Sequence, residues 1–169
     1  MSKKVINQDN KSNKMINIIV IGCAFLLVVA LGVMVSKNKQ SALYNHIKEI
    51  GYSDYIEKIN SKDYTIILLA TPDCQYCIKY KPFMNQVAVD YDLEINYIDV
   101  SSNDLSIDEY TALHDKYSVL KDKYDDTEGY PIIPTPTTII VKDGEEVASR
   151  SGNIGYDGFL KMLKENGVV

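Results

Sequence analysis

The stretch YTIILLATPDCQYC, residues 64–77, decides how this chain folds. Its first seven residues are an unbroken apolar and β-branched run, which is typical of a central strand covered on both sheet faces. Apolar residues at helical spacing follow the second cysteine. We therefore predict a strand over residues 64–70 and a helix over residues 75–91. Cys74 and Cys77 then lie at the junction from a buried strand into a helix.

This junction suits a reactive pair of thiols. The first sulfur would lie beyond the helix N-terminus, where unpaired backbone N–H groups and the helix dipole favour a thiolate. The thiolate is the nucleophile in disulfide exchange. The second sulfur, one turn into the helix, can attack the mixed disulfide and release the product. We therefore predict that Cys74 is the attacking thiol and Cys77 the resolving thiol.

A C-x-x-C pair can also be a static disulfide or half of a zinc site. Zinc needs two further ligands at comparable spacing. The available histidines, His46 and His114, are distant from the cysteines in sequence and are predicted to be ordinary helix residues. The third cysteine, Cys23, lies in an apolar run, and three cysteines cannot build a structural disulfide framework. We predict no metal site and no cofactor.

Further elements are predicted on both sides of this stretch. Helical spacing of apolar residues covers residues 42–50, 53–59, 106–120 and 156–166, and strand patterns cover residues 93–100, 137–141 and 145–150. Ser53 is a predicted N-cap, and Ser106 forms a capping-box pattern with Glu109. Asp143-Gly144 is the predicted hairpin turn between the last two strands.

From residue 64 onward the predicted order is β-α-β-α-β-β-α. The strand–helix–strand start predicts parallel pairing with a right-handed crossover, and the hairpin adds antiparallel strands. Helices must cover both apolar faces of such a sheet. The chain is therefore predicted to be an α/β protein with a mixed central sheet between helices.

A second feature, Thr135-Pro136-Thr137, lies directly before the third strand. A cis X-Pro bond marks a tight, constrained turn. Such a turn would present the Thr135 backbone beside the sulfurs, where a peptide substrate can pair with it like an added strand. The alternative is an ordinary strand-entry proline, and Pro131 and Pro134 compete for the role. Pro136 is favoured because the strand begins immediately after it.

Residues 15–36, MINIIVIGCAFLLVVALGVMVS, form an uncharged apolar run. At about 1.5 Å per residue, a helix of this length crosses a bilayer core of about 30 Å. Four lysines precede the run and two follow it, which favours a cytosolic tail (residues 1–14) and a body outside the cytoplasm. A cleaved signal peptide would have a shorter apolar core. Residues 20–23 resemble a lipoprotein signal, but a mature lipoprotein normally turns polar after the cysteine.

Charge is divided unevenly along the chain. Residues 1–39 hold six Lys and one Asp, whereas residues 40–169 hold 12 Lys or Arg and 22 Asp or Glu. Nucleic-acid binding needs clustered basic residues, so the acidic body argues against a nucleic-acid partner. We divide the chain into the tail, the membrane anchor, a linker with a short helix (residues 37–52) and a folded domain (residues 53–169).

Together these features resemble the thioredoxin superfamily over residues 53–169. The matching pieces are the strand YTIILLA, the Cys74–Cys77 motif, Pro82 at the place of a helix-kinking proline, Thr135-Pro136-Thr137 at the place of the cis-proline signature, and the final hairpin and helix. The resemblance implies a thioredoxin-like three-layer α/β/α sandwich. It also implies a membrane-anchored thiol-disulfide oxidoreductase acting on protein or peptide thiols and disulfides.

Within the superfamily, residues 72–77 and the acidic segment before Pro136 are similar to bacteriocin transport accessory proteins of Gram-positive bacteria. This similarity implies an alternative function, a non-catalytic thioredoxin-fold accessory protein for peptide or bacteriocin export.

The sequence departs from the superfamily around the motif. Asp73 replaces an aromatic residue, and Leu68 replaces a buried carboxylate that assists proton transfer to the resolving thiol. Tyr97 corresponds to the lysine that partners this carboxylate. Without the pair, proton transfer must use water or another group. The direction of exchange is left open, because two intervening residues do not fix a reduction potential.

Overall fold

The computed structural model describes residues 44–121 and 131–169, together with the helical residues Val20, Ile21, Cys23 and Leu26. Residues Tyr44–Val169 form one compact unit, which does not include residues Met1–Leu43. Most of the predicted anchor, residues 15–36, and all of the predicted tail lie outside the described residues. Among the described residues, no helix has the length and apolar character needed to span a membrane.

The larger unit alternates strands and helices along the chain. In order, the described elements are β1 (Ile47–Glu49), α1 (Tyr52–Ile59), β2 (Thr65–Ala70), α2 (Gln75–Asp90), β3 (Ile95–Asp99), α3 (Ile107–Lys116), β4 (Thr137–Lys142), β5 (Glu145–Ser151) and α4 (Gly155–Glu165). The strands form one sheet in the order β1-β3-β2-β4-β5. Strands β1, β3 and β2 are parallel, whereas β4 and β5 are antiparallel to their neighbours. The predicted mixed sheet is confirmed.

Every position of β2 is buried. Ile66, Leu68 and Ala70 pack in the same cluster as the buried residues of α2 and α4. Ile67 and Leu69 pack with the buried residues of α1 and α3. The sheet therefore lies between two helical layers, which confirms the predicted three-layer arrangement with β2 at its centre.

The helix predicted over residues 42–50 is wrong. Residues 44–46 form a turn and β1 follows, with Ile47 paired to Ile95. Ile95 donates a backbone hydrogen bond to His46 at 2.8 Å, and Ile50 donates one to Tyr97 at 2.9 Å. The edge of β3 has backbone groups that need partners. Pairing with this distant strand therefore outweighs the local helical spacing.

Two helix ends also differ from the prediction. Helix α1 begins at Tyr52 with Gly51 as N-cap, so Ser53 is not the cap. Helix α3 ends at Lys116, earlier than predicted, because Tyr117 is extended and buried with its hydroxyl 2.6 Å from that of Tyr55. The predicted capping box of α3 is confirmed.

The central position of Leu68 gives a stability prediction. Replacing this fully buried side chain (Leu68→Ala) should lower the free energy of unfolding by about 2–5 kcal/mol, because a cavity remains in the core. Urea unfolding of the oxidised protein, followed by circular dichroism, measures this change. The control Ile107→Ala, at a residue that is 71% exposed, should stay within about 0.5 kcal/mol of wild type. Equal losses in the two variants would contradict the central role of β2.

Candidate thiol–disulfide site

Strand β2 and helix α2 position the two cysteines. Cys74 is the N-cap of α2, and its sulfur accepts a hydrogen bond from the Cys77 backbone N–H at 3.1 Å. The Cys74 sulfur thus acts as the N-cap acceptor, a position at which an oxygen of Ser, Thr, Asp or Asn is usual. Cys74 is half-buried, whereas Cys77, one turn further on, is fully buried. The two residues form a disulfide with their Cα atoms 5.2 Å apart.

The turn before β4 lies against this disulfide. The Thr135–Pro136 peptide bond is cis, as predicted, and the Thr135 carbonyl oxygen is 3.4 Å from Cys74 Sγ. The Pro136 carbonyl accepts a 2.7 Å hydrogen bond from Gly152 N–H, and Thr137 Oγ1 donates one of 2.7 Å to the Pro134 carbonyl. The structure therefore brings Cys74, Cys77 and Thr135 together, and hydrogen bonds hold the turn on both sides.

A buried hydrogen bond connects α2 to the strand that follows the turn. Thr138 Oγ1 donates to the Tyr80 hydroxyl oxygen at 3.3 Å, and both side chains are buried. The Tyr80 ring meets Phe159 of α4 edge to face, with ring centres 6.3 Å apart. Burial raises the pKa of Tyr80, so its hydroxyl is neutral at pH 7. Tyr80 thus fixes the motif helix relative to β4.

A family model of the thioredoxin-like domain matches residues 53–167, more than half of the chain. The chain belongs to this thioredoxin-like family. Its structure is similar to Fasciola hepatica thioredoxin, with 18% identity, a TM-score of 0.51, and coverage of 70% of this chain and 98% of that one. It is also similar to spinach chloroplast thioredoxin f, with 16% identity, a TM-score of 0.52, and coverage of 77% and 93%. These identities establish the fold alone.

The thioredoxin-like domain has unusual side chains around its cysteine pair. Leu68 is fully buried, and its register partner on the neighbouring strand β3 is Tyr97, which is 6% exposed. Neither residue supplies a carboxylate. Asp73 is exposed, so solvent and salt screen its charge from the neighbouring sulfur. Tyr76, between the cysteines, is 68% exposed and offers an aromatic surface beside the disulfide.

Sequence reasoning missed one charged residue at this site. Lys81 lies on α2 with its Nζ 3.8 Å from the centre of the Tyr97 ring. The signal was present, since Lys81 follows Cys77 by four residues and so shares its side of the helix. Among the described residues, no group of three or more His, Cys, Asp or Glu is arranged to hold a metal ion. Thiol–disulfide chemistry needs none.

The Tyr80–Thr138 hydrogen bond gives a second stability prediction. Thr138→Val leaves the buried Tyr80 hydroxyl without its partner and should lower the free energy of unfolding by about 1–3 kcal/mol. Combining it with Tyr80→Phe should cost less than the sum of the two single changes, because no unpaired hydroxyl remains. Denaturant unfolding of the three variants measures this coupling. Strict additivity would show that the bond does not join α2 to β4.

Proposed function

We propose that this chain is a thiol-disulfide oxidoreductase that exchanges disulfides with protein substrates, with Cys74 as nucleophile and Cys77 as resolving thiol. The observation that carries the proposal is the unequal environment of the two sulfurs. Cys74 is the more accessible and sits at the helix N-terminus with a backbone N–H on its sulfur, whereas Cys77 is enclosed. An incoming group therefore reaches Cys74 first.

Exchange from the oxidised protein takes two displacements. A substrate thiolate attacks Cys74 Sγ, the Cys74–Cys77 bond breaks, and its electron pair leaves on the Cys77 sulfur. A second substrate thiolate then attacks the substrate sulfur of the mixed disulfide and releases Cys74 as a thiolate. The substrate loses two electrons and the protein gains them. The reverse sequence reduces a substrate disulfide, and the reduction potential decides the direction.

The helix N-terminus supports the charge that these steps create. When Cys74 leaves as a thiolate, the Cys77 N–H already points at its sulfur at 3.1 Å. A hydrogen bond to the charged form, together with the helix dipole, stabilises that form. We further propose that the backbone of Thr135, beside Cys74, pairs with an extended substrate peptide.

We also propose that the domain works outside the cytoplasm on a single-pass anchor. The support comes from the sequence: residues 15–36 are long and apolar enough to cross a bilayer, and the lysine bias favours a cytosolic N-terminus. An acidic body suits a solvated domain without a nucleic-acid partner. Its partners would be exposed protein thiols and disulfides.

Cysteine substitutions test the exchange proposal. In the full-length protein, Cys77→Ser should accumulate a mixed disulfide with a disulfide-bonded protein such as insulin, because Cys74 attacks and nothing resolves the product. Cys74→Ser should form none and should lose insulin reduction. Non-reducing gels and turbidity measure these outcomes. Cys23→Ser is the matched control, which should reduce insulin like wild type and accumulate no mixed disulfide.

Wild-type activity in the Cys74→Ser variant would contradict the proposal. A double Cys74→Ser, Cys77→Ser protein that still supports its cellular role would favour the non-catalytic accessory function in peptide export. Loss of that role would favour exchange chemistry.

Fractionation tests the proposed location. The full-length protein should remain in the membrane fraction after a high-pH wash, and external protease on intact cells should digest the domain. A variant that lacks residues 15–36 should leave the membrane. Recovery of the intact protein in the soluble fraction, or protection from external protease, would refute the anchored, extracytoplasmic arrangement.

A further inference from the structure

A group of titratable side chains surrounds Lys81, one helical turn after Cys77, and the exchange steps above do not use it. Lys81 follows Cys77 by one helical turn on α2, and its ammonium stands over the Tyr97 ring. Glu49 of β1 and Asp99 of β3 interact electrostatically with this ammonium. The group therefore joins the motif helix to the two strands at the β1 edge of the sheet.

Lys81 and Cys77 lie one helical turn apart on the same side of α2. Residues four apart on a helix have Cβ atoms about 5–6 Å apart, and helix side chains lean toward the N-terminus. The stem of Lys81 therefore starts beside the turn that carries Cys77, and its ammonium ends over the Tyr97 ring. Tyr97, beneath the ammonium, belongs to the same buried cluster as Cys77. Lys81 is half-buried, whereas Lys79 on the same helix is exposed.

We propose that the Lys81 ammonium favours the thiolate form of Cys77 while this sulfur resolves the mixed disulfide. The proposal rests on the exchange function proposed above. In this step the reduced protein has already attacked a substrate disulfide through Cys74. The Cys77 thiol gives its proton to solvent, and its thiolate attacks the Cys74 sulfur. The bond to the substrate breaks, the substrate sulfur leaves with the electron pair, and the Cys74–Cys77 disulfide forms.

Cys77 needs such help because of its surroundings. It is fully buried in an apolar cluster, which disfavours a charged sulfur. Leu68 supplies no carboxylate to accept the proton. A cation nearby lowers the free energy of the thiolate without contact with the reacting atoms. Lys81 acts through its charge on Cys77, so it is a positioning residue.

The neighbouring groups determine whether Lys81 stays charged near Cys77. Burial lowers the pKa of Lys81, and the carboxylates of Glu49 and Asp99 oppose this shift and help keep the ammonium charged. Burial also raises the pKa values of Tyr97 and Tyr80, so both phenols are neutral at pH 7. Of the two lysines of α2, Lys79 is exposed, so the half-buried Lys81 supplies the positive charge on the side of Cys77.

Single-turnover kinetics test the proposal in the full-length protein with Cys23→Ser throughout. The reduced protein is mixed with the aromatic disulfide dithiobis-nitrobenzoate. The first coloured thiol reports attack by Cys74, and the second reports resolution by Cys77. Lys81→Met should move the pH midpoint of the second release upward by about one pH unit. At pH 7 this shift lowers the thiolate fraction of Cys77 about tenfold. The more basic thiolate is about threefold more nucleophilic, so resolution should be about threefold slower overall.

Matched variants separate charge from structure. Lys79→Met removes the same charge from the exposed face of α2 and should keep the wild-type midpoint. Lys81→Arg keeps the charge and should keep the midpoint. Lys81→Gln also removes the charge, should shift the midpoint in the same way, and serves as the test if Lys81→Met does not fold. Well above both midpoints, Lys81→Met should resolve at least as fast as wild type, because the thiolate is then fully formed.

Two results would overturn the proposal. One is an unchanged midpoint in both Lys81→Met and Lys81→Gln, and the other is slowing by the same factor at every pH. A wild-type protein that releases no second thiol would instead contradict the resolving function of Cys77. In that case an NMR titration of the Cys77 side chain in Cys74→Ser, with and without Lys81→Met, still measures the effect of the charge.

Discussion

The burial of β2 on both faces is the constraint on which the site depends. The strand contributes alternate side chains to two separate clusters, so its position is set from above and below. It ends at Ala70, four residues before the cysteine that caps α2. A one-residue slip of β2 would exchange the two clusters and move every side chain to the wrong face. The packing of β2 in the core therefore fixes the position of the cysteine pair.

The pairing of β2 with β4 extends this control to the turn. Leu69 is in register with Thr137, and Leu68 with Thr138. The cis bond precedes these residues directly, so the register of the strands places the Thr135 carbonyl beside Cys74. The Tyr80–Thr138 hydrogen bond joins the same strand to the motif helix. Two parts of the site that are about 60 residues apart in sequence thus meet through one strand pair and one buried bond.

The parts of the site that rest on local signals could be predicted from the sequence. A continuous β-branched run, a C-x-x-C motif and a proline before a strand identified β2, the cysteine pair and the cis turn. Strand β1 could not be predicted, because its three residues are extended only through pairing with β3. Tertiary pairing of this kind leaves no periodic pattern in so short a segment. The spacing of Lys81 from Cys77 is visible in the sequence, but the contact of Lys81 with Tyr97 of β3 is a tertiary feature that this spacing does not show.

In the proposed mechanism, the presence of Leu68 rather than a buried acid, with Lys81 one turn after Cys77, changes how the resolving thiol can lose its proton. A carboxylate near a buried thiol accepts the proton directly but repels the thiolate once both are charged. An ammonium cannot accept a proton, yet it attracts the thiolate throughout the step. With Leu68 in the core and Lys81 at its edge, proton release must go to solvent, while the charge that remains is stabilised. Under this proposal, resolution depends on the Lys81 ammonium at the β1 edge of the sheet, and Glu49 and Asp99 help keep that ammonium charged.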